Sequence, residues 1–194
     1  MRGGRGGRRV SVLRLACLTA LAGWLGCATT FTPADSPATA YLAFQEAVRS
    51  KNRESLWHAL DDQTRALWRL AWRARRAGFE LLATFPADEI AADPDLRVLG
   101  TTPPLRPEDL FAASVTDAEL VRLGEDINPA APVLSLVSEA QFPTKMGDNL
   151  PFRKAADRSW GYAGFADRAG LAARGELEAV ERVGRLARQR QLRD

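Results

Sequence analysis

The sequence contains few of the residues on which metal-dependent and nucleophilic enzymes rely. Its 194 residues include one histidine, His58, and two cysteines, Cys17 and Cys27. One histidine and two cysteines are too few for the usual Cys/His metal sites or for a disulfide scaffold. The sequence also lacks G-x-S-x-G, H-E-x-x-H, a phosphate-binding loop and a dinucleotide fingerprint. We therefore expect no metal, no cofactor and no enzymatic activity.

The first part of the chain has no acidic residue. Five of the 27 basic residues are arginines that precede Leu15, whereas the first acidic residue is Asp35. If residues 1–26 are removed as a targeting segment, 22 basic residues remain beside 24 acidic ones. That balance gives no general attraction to polyanions, so nucleic acid is not an expected partner.

The apolar segment after these arginines is too short for a permanent membrane span. It covers residues 15–25, eleven uncharged and mostly apolar residues. A spanning helix needs about 20 such residues, whereas the core of a signal peptide needs roughly 7 to 15. Residues 1–26 therefore have the layout of an export signal that ends directly before Cys27.

The residues around Cys27 resemble the lipobox of bacterial lipoproteins. The box reads Trp24-Leu25-Gly26-Cys27, with tryptophan where that family usually has leucine. The resemblance implies a signal peptide over residues 1–26 and a lipidated Cys27 that anchors the protein to a membrane. Ala28 is not the aspartate that often retains such lipoproteins in the inner membrane, so the outer membrane of the cell envelope is favoured. An ordinary cleaved signal and an uncleaved signal anchor are the alternatives.

Behind the anchor we expect a short tether over residues 27–36 and a single α+β domain over residues 37–194. Helices come first in the chain and strand-like sequence follows, which is typical of the α+β class. The expected architecture is a set of N-terminal helices packed against a small curved antiparallel sheet, with a C-terminal helix.

Local signals place the helices. Ser36-Pro37 predicts an N-cap and first turn for a helix over residues 37–50. A second helical stretch begins near Glu54, and Asp61-Asp62 could cap a new helix and split it. Gly78 is the predicted end of this stretch. A polar helix over residues 170–191 closes the chain.

Three strands are predicted in the second half. Residues 133–142 alternate as one strand, whose inner face carries four apolar residues, Leu134, Leu136, Ala140 and Phe142. The segments "LPFRKAA" and "WGYAGF" form the other two strands. The order of "AYLAFQEAVRSKNRESLWHAL" and, later, "AADRSWGY" resembles envelope lipoproteins of the nuclear transport factor 2-like cone. That resemblance implies a helix pair packed in the concavity of a curved sheet.

Two groups of arginines are the candidate interaction surface. A helical projection places the first group in one stripe, Arg65, Arg69, Arg73 and Arg76. The second group lies in the C-terminal helix and comprises Arg182, Arg185 and Arg188. Guanidinium groups in such patterns bind phosphate or carboxylate groups of an envelope polymer or a protein partner. The alternative is that both are ordinary polar faces of amphipathic helices.

A ligand cavity is the competing hypothesis for function. His58 projects beside the arginine stripe and could act as a base with Asp61 or Asp62, although a water-facing histidine is the simpler interpretation. Trp160 and Tyr162 could line a cavity or fill the core. Paired acids between residues 86 and 126 could bind calcium or act as glycosidase carboxylates, but helix caps and solvated loops explain most of them.

The sequence therefore favours a lipid-anchored envelope protein that acts as a non-catalytic interaction module. The alternative is a small-ligand-binding protein or enzyme of the cone class, with a cavity near His58, Trp160 and Tyr162. The two differ in whether polar groups converge on an open space at the inner face of the sheet.

Overall fold

Helices make up most of residues 33–100 and 102–192, which are the residues that the computed structural model describes. In chain order, the elements within those residues are α1 (Pro37–Arg49), α2 (Arg53–Ala59), α3 (Asp62–Leu82), α4 (Ala87–Ala92), α5 (Pro94–Arg97), α6 (Pro107–Ser114), α7 (Asp117–Asp126), β1 (Leu134–Ser135), β2 (Glu139–Pro143), β3 (Asn149–Lys154), β4 (Trp160–Tyr162) and α8 (Ala166–Gln191). The four strands form one antiparallel sheet in the order β1-β2-β3-β4. The α+β prediction is confirmed.

The first helix begins where its sequence signals predict. The Ser36 hydroxyl accepts a hydrogen bond from the Thr39 backbone N–H at 3.2 Å, and Pro37 occupies the first turn. One face of α1 then buries Tyr41, Phe44 and other residues at helical spacing. The N-cap, the proline in the first turn and the apolar stripe all favour a helix that starts at Pro37. Local sequence is therefore enough to predict the start of α1.

The folded domain begins slightly before the expected boundary at residue 37. The Trp160 backbone N–H donates to the carbonyl oxygen of Ala34 at 2.8 Å, and the two residues form an isolated antiparallel bridge. Ala34, which we had assigned to the tether, is therefore a buried part of the domain. This contact joins residues distant in sequence, so no local pattern indicates it.

Asp61 splits the second helical stretch into α2 and α3, as its position allowed. Its buried carboxylate accepts hydrogen bonds from the backbone N–H of Gln63 at 3.0 Å and of Thr64 at 3.3 Å. The Thr64 hydroxyl and one Arg153 guanidinium nitrogen also donate to it. The side chain thus satisfies the first N–H groups of α3, which have no partner inside the helix.

The junction between α2 and α3 rests directly on the last strand. The Asp61 backbone N–H donates to the carbonyl oxygen of Tyr162 at 3.1 Å, and Leu60 bridges Tyr162 in parallel. A β-carbon on Gly161 would lie 2.5 Å from the backbone of both Leu60 and Asp61. Only glycine allows the two backbones to approach this closely.

From this junction α3 and α8 run side by side in the same direction. Their contacts advance together along both chains: Arg75 pairs with Glu176, Gly78 faces Val180, and Leu81 lies near Gly184. The predicted helix end at Gly78 is wrong. α3 continues to Leu82, because the missing side chain at Gly78 makes room for Leu99 and Val180.

The prediction of one strand over residues 133–142 is also wrong. The chain reverses between Leu136 and Glu139, where the Leu136 N–H donates to the Glu139 carbonyl oxygen at 2.7 Å, so β1 and β2 form a hairpin. Ala140 and Phe142 are buried as expected, whereas Leu134 and Leu136 are exposed on the edge strand. Alternation of apolar and polar residues predicts which side chains share a face only within one strand. Where the chain reverses, the residues before and after the turn belong to different strands.

Aromatic side chains form the centre of the core between α1 and the sheet. The Tyr41 ring stacks on Phe142 with centroids 4.0 Å apart, and the Phe44 ring lies 4.1 Å from that of Tyr162. Phe152 contacts all four of these rings edge-on or tilted. Each such buried side chain contributes about 1.5 to 3 kcal/mol. A smaller cluster around Leu99 and Val183 buries the distal part of α8 against α5 and the loop that follows it.

We expect opposite effects from the same substitution at two glycines. Gly161→Ala should destabilise the domain by several kcal/mol, because its new methyl group meets backbone atoms that cannot rotate away. Gly175→Ala, in the interior of α8 with open space around it, should stabilise by about 0.5 to 1 kcal/mol. Urea unfolding of both variants measures the difference. Equal stability of the two would contradict the close contact at the junction.

Candidate functional site

The inner face of the sheet is filled by side chains. Tyr162 is 5% exposed and Phe44 is completely buried, and both belong to the aromatic core. Burial raises the pKa of Tyr162 to about 12; the Glu119 carboxylate adds to the shift and Arg168 partly offsets it. A hydroxyl held neutral in this way is a poor proton-transfer group near neutral pH. Tyr162 therefore fills the core, which was the alternative to lining a cavity.

The other two residues of the cavity hypothesis lie at different places. Trp160 is half-buried at the start of β4, where the Lys154 ammonium group lies 5.9 Å from its ring centroid. His58 is half-buried in the last turn of α2. The helical projection that places His58 beside the arginines, facing water, assumes one continuous helix. The helix breaks at Asp61, so that projection does not apply to His58. Asp61 itself is occupied as the cap of α3.

The four arginines of the α3 stripe differ in their surroundings. Arg65 is largely covered, with its side chain 17% exposed, and forms an ion pair with Asp62 at 2.5 Å. Arg69 and Arg73 lie one turn apart and are exposed. Neither forms an ion pair with any residue in 33–100 or 102–192. The side of α3 that faces solvent therefore carries two neighbouring positive charges without acidic partners in the described chain.

Arg76 extends this surface next to a fixed aromatic ring. Its guanidinium carbon lies 5.1 Å from the ring centroid of Trp72, within the range of a cation–π contact. The indole N–H of Trp72 donates to the carbonyl oxygen of Pro104 at 3.1 Å. The indole N–H and the ring face of Trp72 thus both have partners. These contacts fix the ring and orient the Arg76 guanidinium group beside it. We call Arg69, Arg73, Arg76 and Trp72 the α3 basic surface.

The arginines of α8 have divided roles. Arg182 lies 3.9 Å from Asp95, and Arg190 lies 3.5 Å from Glu89 and also donates to the Thr84 carbonyl oxygen. These two side chains connect α8 to the acidic segment that contains α4 and α5. The other two candidates, Arg185 and Arg188, are exposed. The structure thus leaves only part of the predicted basic cluster for a partner.

Two ion pairs that the sequence did not indicate hold the helices together. Arg168 makes a two-pronged contact with Glu119 at 3.0 and 2.6 Å, joining α8 to α7. Arg75 contacts Glu176 at 3.1 Å between α3 and α8. Burial raises the pKa of Glu176, and the Arg75 charge opposes that shift. Both pairs join residues distant in sequence, so spacing could not reveal them.

The acids between residues 86 and 126 serve mainly as caps and ion-pair partners. Asp93 caps α5, and Asp109 accepts a hydrogen bond from the backbone N–H of Arg106 at 2.8 Å. Glu89 and Asp95 pair with the arginines of α8. In the described parts of the chain, no group of three or more His, Cys, Asp or Glu side chains could hold a metal ion.

Cys27 and its lipobox lie outside the described residues. Among the helices that are described, none is both long and apolar enough to cross a membrane. Comparisons with protein-family models, with curated proteins and with solved structures found no match to this chain. The lipoprotein and cone-fold resemblances therefore stay predictions.

Titration should show that the Tyr162 hydroxyl is buried. In a Tyr41→Phe variant, the absorbance of tyrosinate near 295 nm should rise with a pKa of about 12 instead of 10.0. The folded state keeps the proton of Tyr162 longer than the unfolded state, so the free energy of unfolding should fall as pH rises from 10 to about 12. A midpoint near 10 in the folded protein would show that Tyr162 reaches water.

Proposed function

We propose that this protein is a lipid-anchored component of a bacterial cell envelope that acts as a non-catalytic interaction module. Its domain would bind an anionic envelope polymer or an acidic surface of a protein partner. The anchor is Cys27, and the α3 basic surface is the principal contact. Arg185 and Arg188 on α8 are a second, smaller contact.

One observation carries this proposal: Arg69 and Arg73 are exposed without an acidic partner in the described chain, beside Arg76 and the fixed ring of Trp72. Arginines on the polar face of a helix often pair with an acid one turn away, as Arg65 does with Asp62. Unpaired guanidinium groups one turn apart can each form two hydrogen bonds with a phosphate, sulfate or carboxylate group. A polyanion carries several such groups and could contact both arginines at once.

The filled core supports a surface role over an internal one. Phe44 and Tyr162 occupy the space in which a cone-type ligand cavity would lie. Asp93, Asp95 and Asp109, three of the acids that could have formed a catalytic pair, are engaged as caps or in an ion pair. The remaining chemistry is therefore that of charged groups on the outside of the domain.

The domain would lie close to its anchor. Ala34 pairs with the sheet and lies seven residues after Cys27. Seven residues span at most about 25 Å even when fully extended. The proposed contact surfaces would therefore act on partners near the membrane, where an envelope polymer or another anchored protein is concentrated.

Reversal of two charges tests the contact surface. The double variant Arg69→Glu/Arg73→Glu should elute from a heparin column, used as an anionic polysaccharide, at a clearly lower salt concentration than the parent. Its stability should change by less than about 0.5 kcal/mol, because neither side chain has a partner in the described fold.

The matched control is Arg158→Glu/Arg174→Glu, which makes the same change in net charge at two exposed arginines outside the surface. This control should shift elution much less. If both double variants lower the eluting salt equally, net charge decides retention and the α3 basic surface has no special role.

Substitution of the proposed lipid acceptor tests the anchor separately. Cys27→Ser should move the protein from the membrane fraction to the soluble fraction of the envelope, because no acyl chain can be attached. Cys17→Ser is the control and should leave the distribution unchanged. Retention of the Cys27→Ser protein in membranes would instead indicate an uncleaved signal anchor.

A further inference from the structure

The sheet has an open apolar edge at β1. β1 is the first strand of the order β1-β2-β3-β4, and within the described chain no bridge lies on its outer side. The side chains around it are strongly exposed for apolar residues: Leu134 is 56% exposed, Leu136 73% and Val137 92%. Edge strands are normally protected by charges or by a covering element. Here the twelve residues 127–138 include no charged residue.

The backbone at this edge is oriented for further pairing. The Leu136 N–H points to Glu139 of β2, and Leu134 lies opposite Gln141. Successive residues of an antiparallel strand direct their polar backbone groups to opposite sides. The N–H and C=O of Ser135 therefore point away from β2, toward the open side.

The sequence of the edge is its own mirror image. Residues 133–137 read Val-Leu-Ser-Leu-Val, with Ser135 at the centre. An isologous twofold contact sets each residue against a partner at the same distance on the other side of the axis. With antiparallel strands centred on Ser135, Leu134 of one copy meets Leu136 of the other, whereas Val137 lies in the turn between β1 and β2 and does not pair.

From this self-complementarity we infer that β1 pairs with β1 of a second copy of the same chain, giving a continuous eight-stranded sheet. The outward-pointing backbone groups of the two Ser135 residues bond to each other. Leu134 and Leu136 lie on the same face as Gln141 and Glu139, which are exposed. The pairing therefore brings four leucines into cross-strand contact on the outer face of the sheet, with polar residues beside them.

The charge pattern fits a second copy better than a different partner. A twofold axis brings identical residues together, so a charge near Ser135 would face a like charge. The uncharged residues 127–138 avoid that repulsion, and the nearest acids, Asp126 and Glu139, lie at the two ends of the segment. Pairing of the three residues 134–136 covers far less than the roughly 800 Å² per partner of a stable interface, so the dimer should be weak in solution.

Cysteine cross-linking in the full chain tests the register of this dimer. In a background of Cys17→Ser and Cys27→Ser, the variant Ser135→Cys should form a disulfide-linked dimer under mild oxidation. Directly paired Cα atoms lie about 5.5 Å apart, which is within the range for a disulfide. The matched control is Leu171→Cys, another exposed site, on α8. We expect cross-linking at residue 135 to be about tenfold faster or more, because pairing raises the local thiol concentration.

Two further variants establish that the contact is antiparallel and specific. A mixture of Leu134→Cys and Leu136→Cys proteins should cross-link faster than either alone. Addition of Leu136→Lys to the Ser135→Cys protein should suppress its cross-link, because the twofold axis brings two new charges close together. Circular dichroism checks that these surface variants fold as the parent does.

The proposal is overturned if Ser135→Cys cross-links no faster than Leu171→Cys, or if Leu134→Cys alone cross-links as fast as the mixture. It is also overturned if cross-linking at residue 135 appears only after residues 1–32 are removed. That last result would mean that the N-terminal segment, and not a second copy, occupies the edge.

Discussion

The fold depends on a contact between two stretches of backbone, at the point where α2 ends, α3 begins and β4 passes beneath them. The Asp61 N–H bonds to the Tyr162 carbonyl oxygen, and Gly161 removes the side chain that would keep the two chains apart. The Asp61 carboxylate caps α3 from the same position. Asp61 thus follows the end of α2, caps the start of α3 and attaches both helices to the sheet. Because α8 follows β4 after only a few residues, the start of both long helices is set at this junction.

That arrangement decides which arginines are available to a partner. α3 and α8 run in parallel, so the faces turned toward each other and toward the acidic segment use their charges internally. Arg75 pairs with Glu176, and Arg182 and Arg190 contact acids of α5 and α4. The side of α3 turned to solvent retains Arg69 and Arg73. Burial of an unpaired charge is costly, whereas an exposed one remains solvated and free to bind, so the division follows from the packing of the two helices.

The sheet is filled on one face and open at one edge. Aromatic rings from α1 and three strands occupy its inner face, which leaves little reason to place chemistry there. The β1 edge, in contrast, lies beyond the core and carries exposed leucines. If Cys27 anchors the chain as proposed, a dimer through this edge would join two anchored domains and double the number of α3 basic surfaces near one membrane site. Weak contacts of each kind would then reinforce one another.

The sequence by itself determined the features whose signals are local. The Ser36 cap of α1 and the Asp61 cap of α3 were both readable, since each depends on residues within a few positions. The arginine stripe was visible for the same reason, and its helical spacing is confirmed. Only the tertiary structure decided that α3 continues past Gly78, that residues 133–142 reverse into a hairpin, and that Arg65 and Arg182 are engaged while Arg69 and Arg73 are not. These outcomes depend on partners far away in the chain, such as Leu99 for Gly78 and Asp95 for Arg182. Local spacing contains no information about such partners, because they are selected by which surfaces the packed core brings into contact.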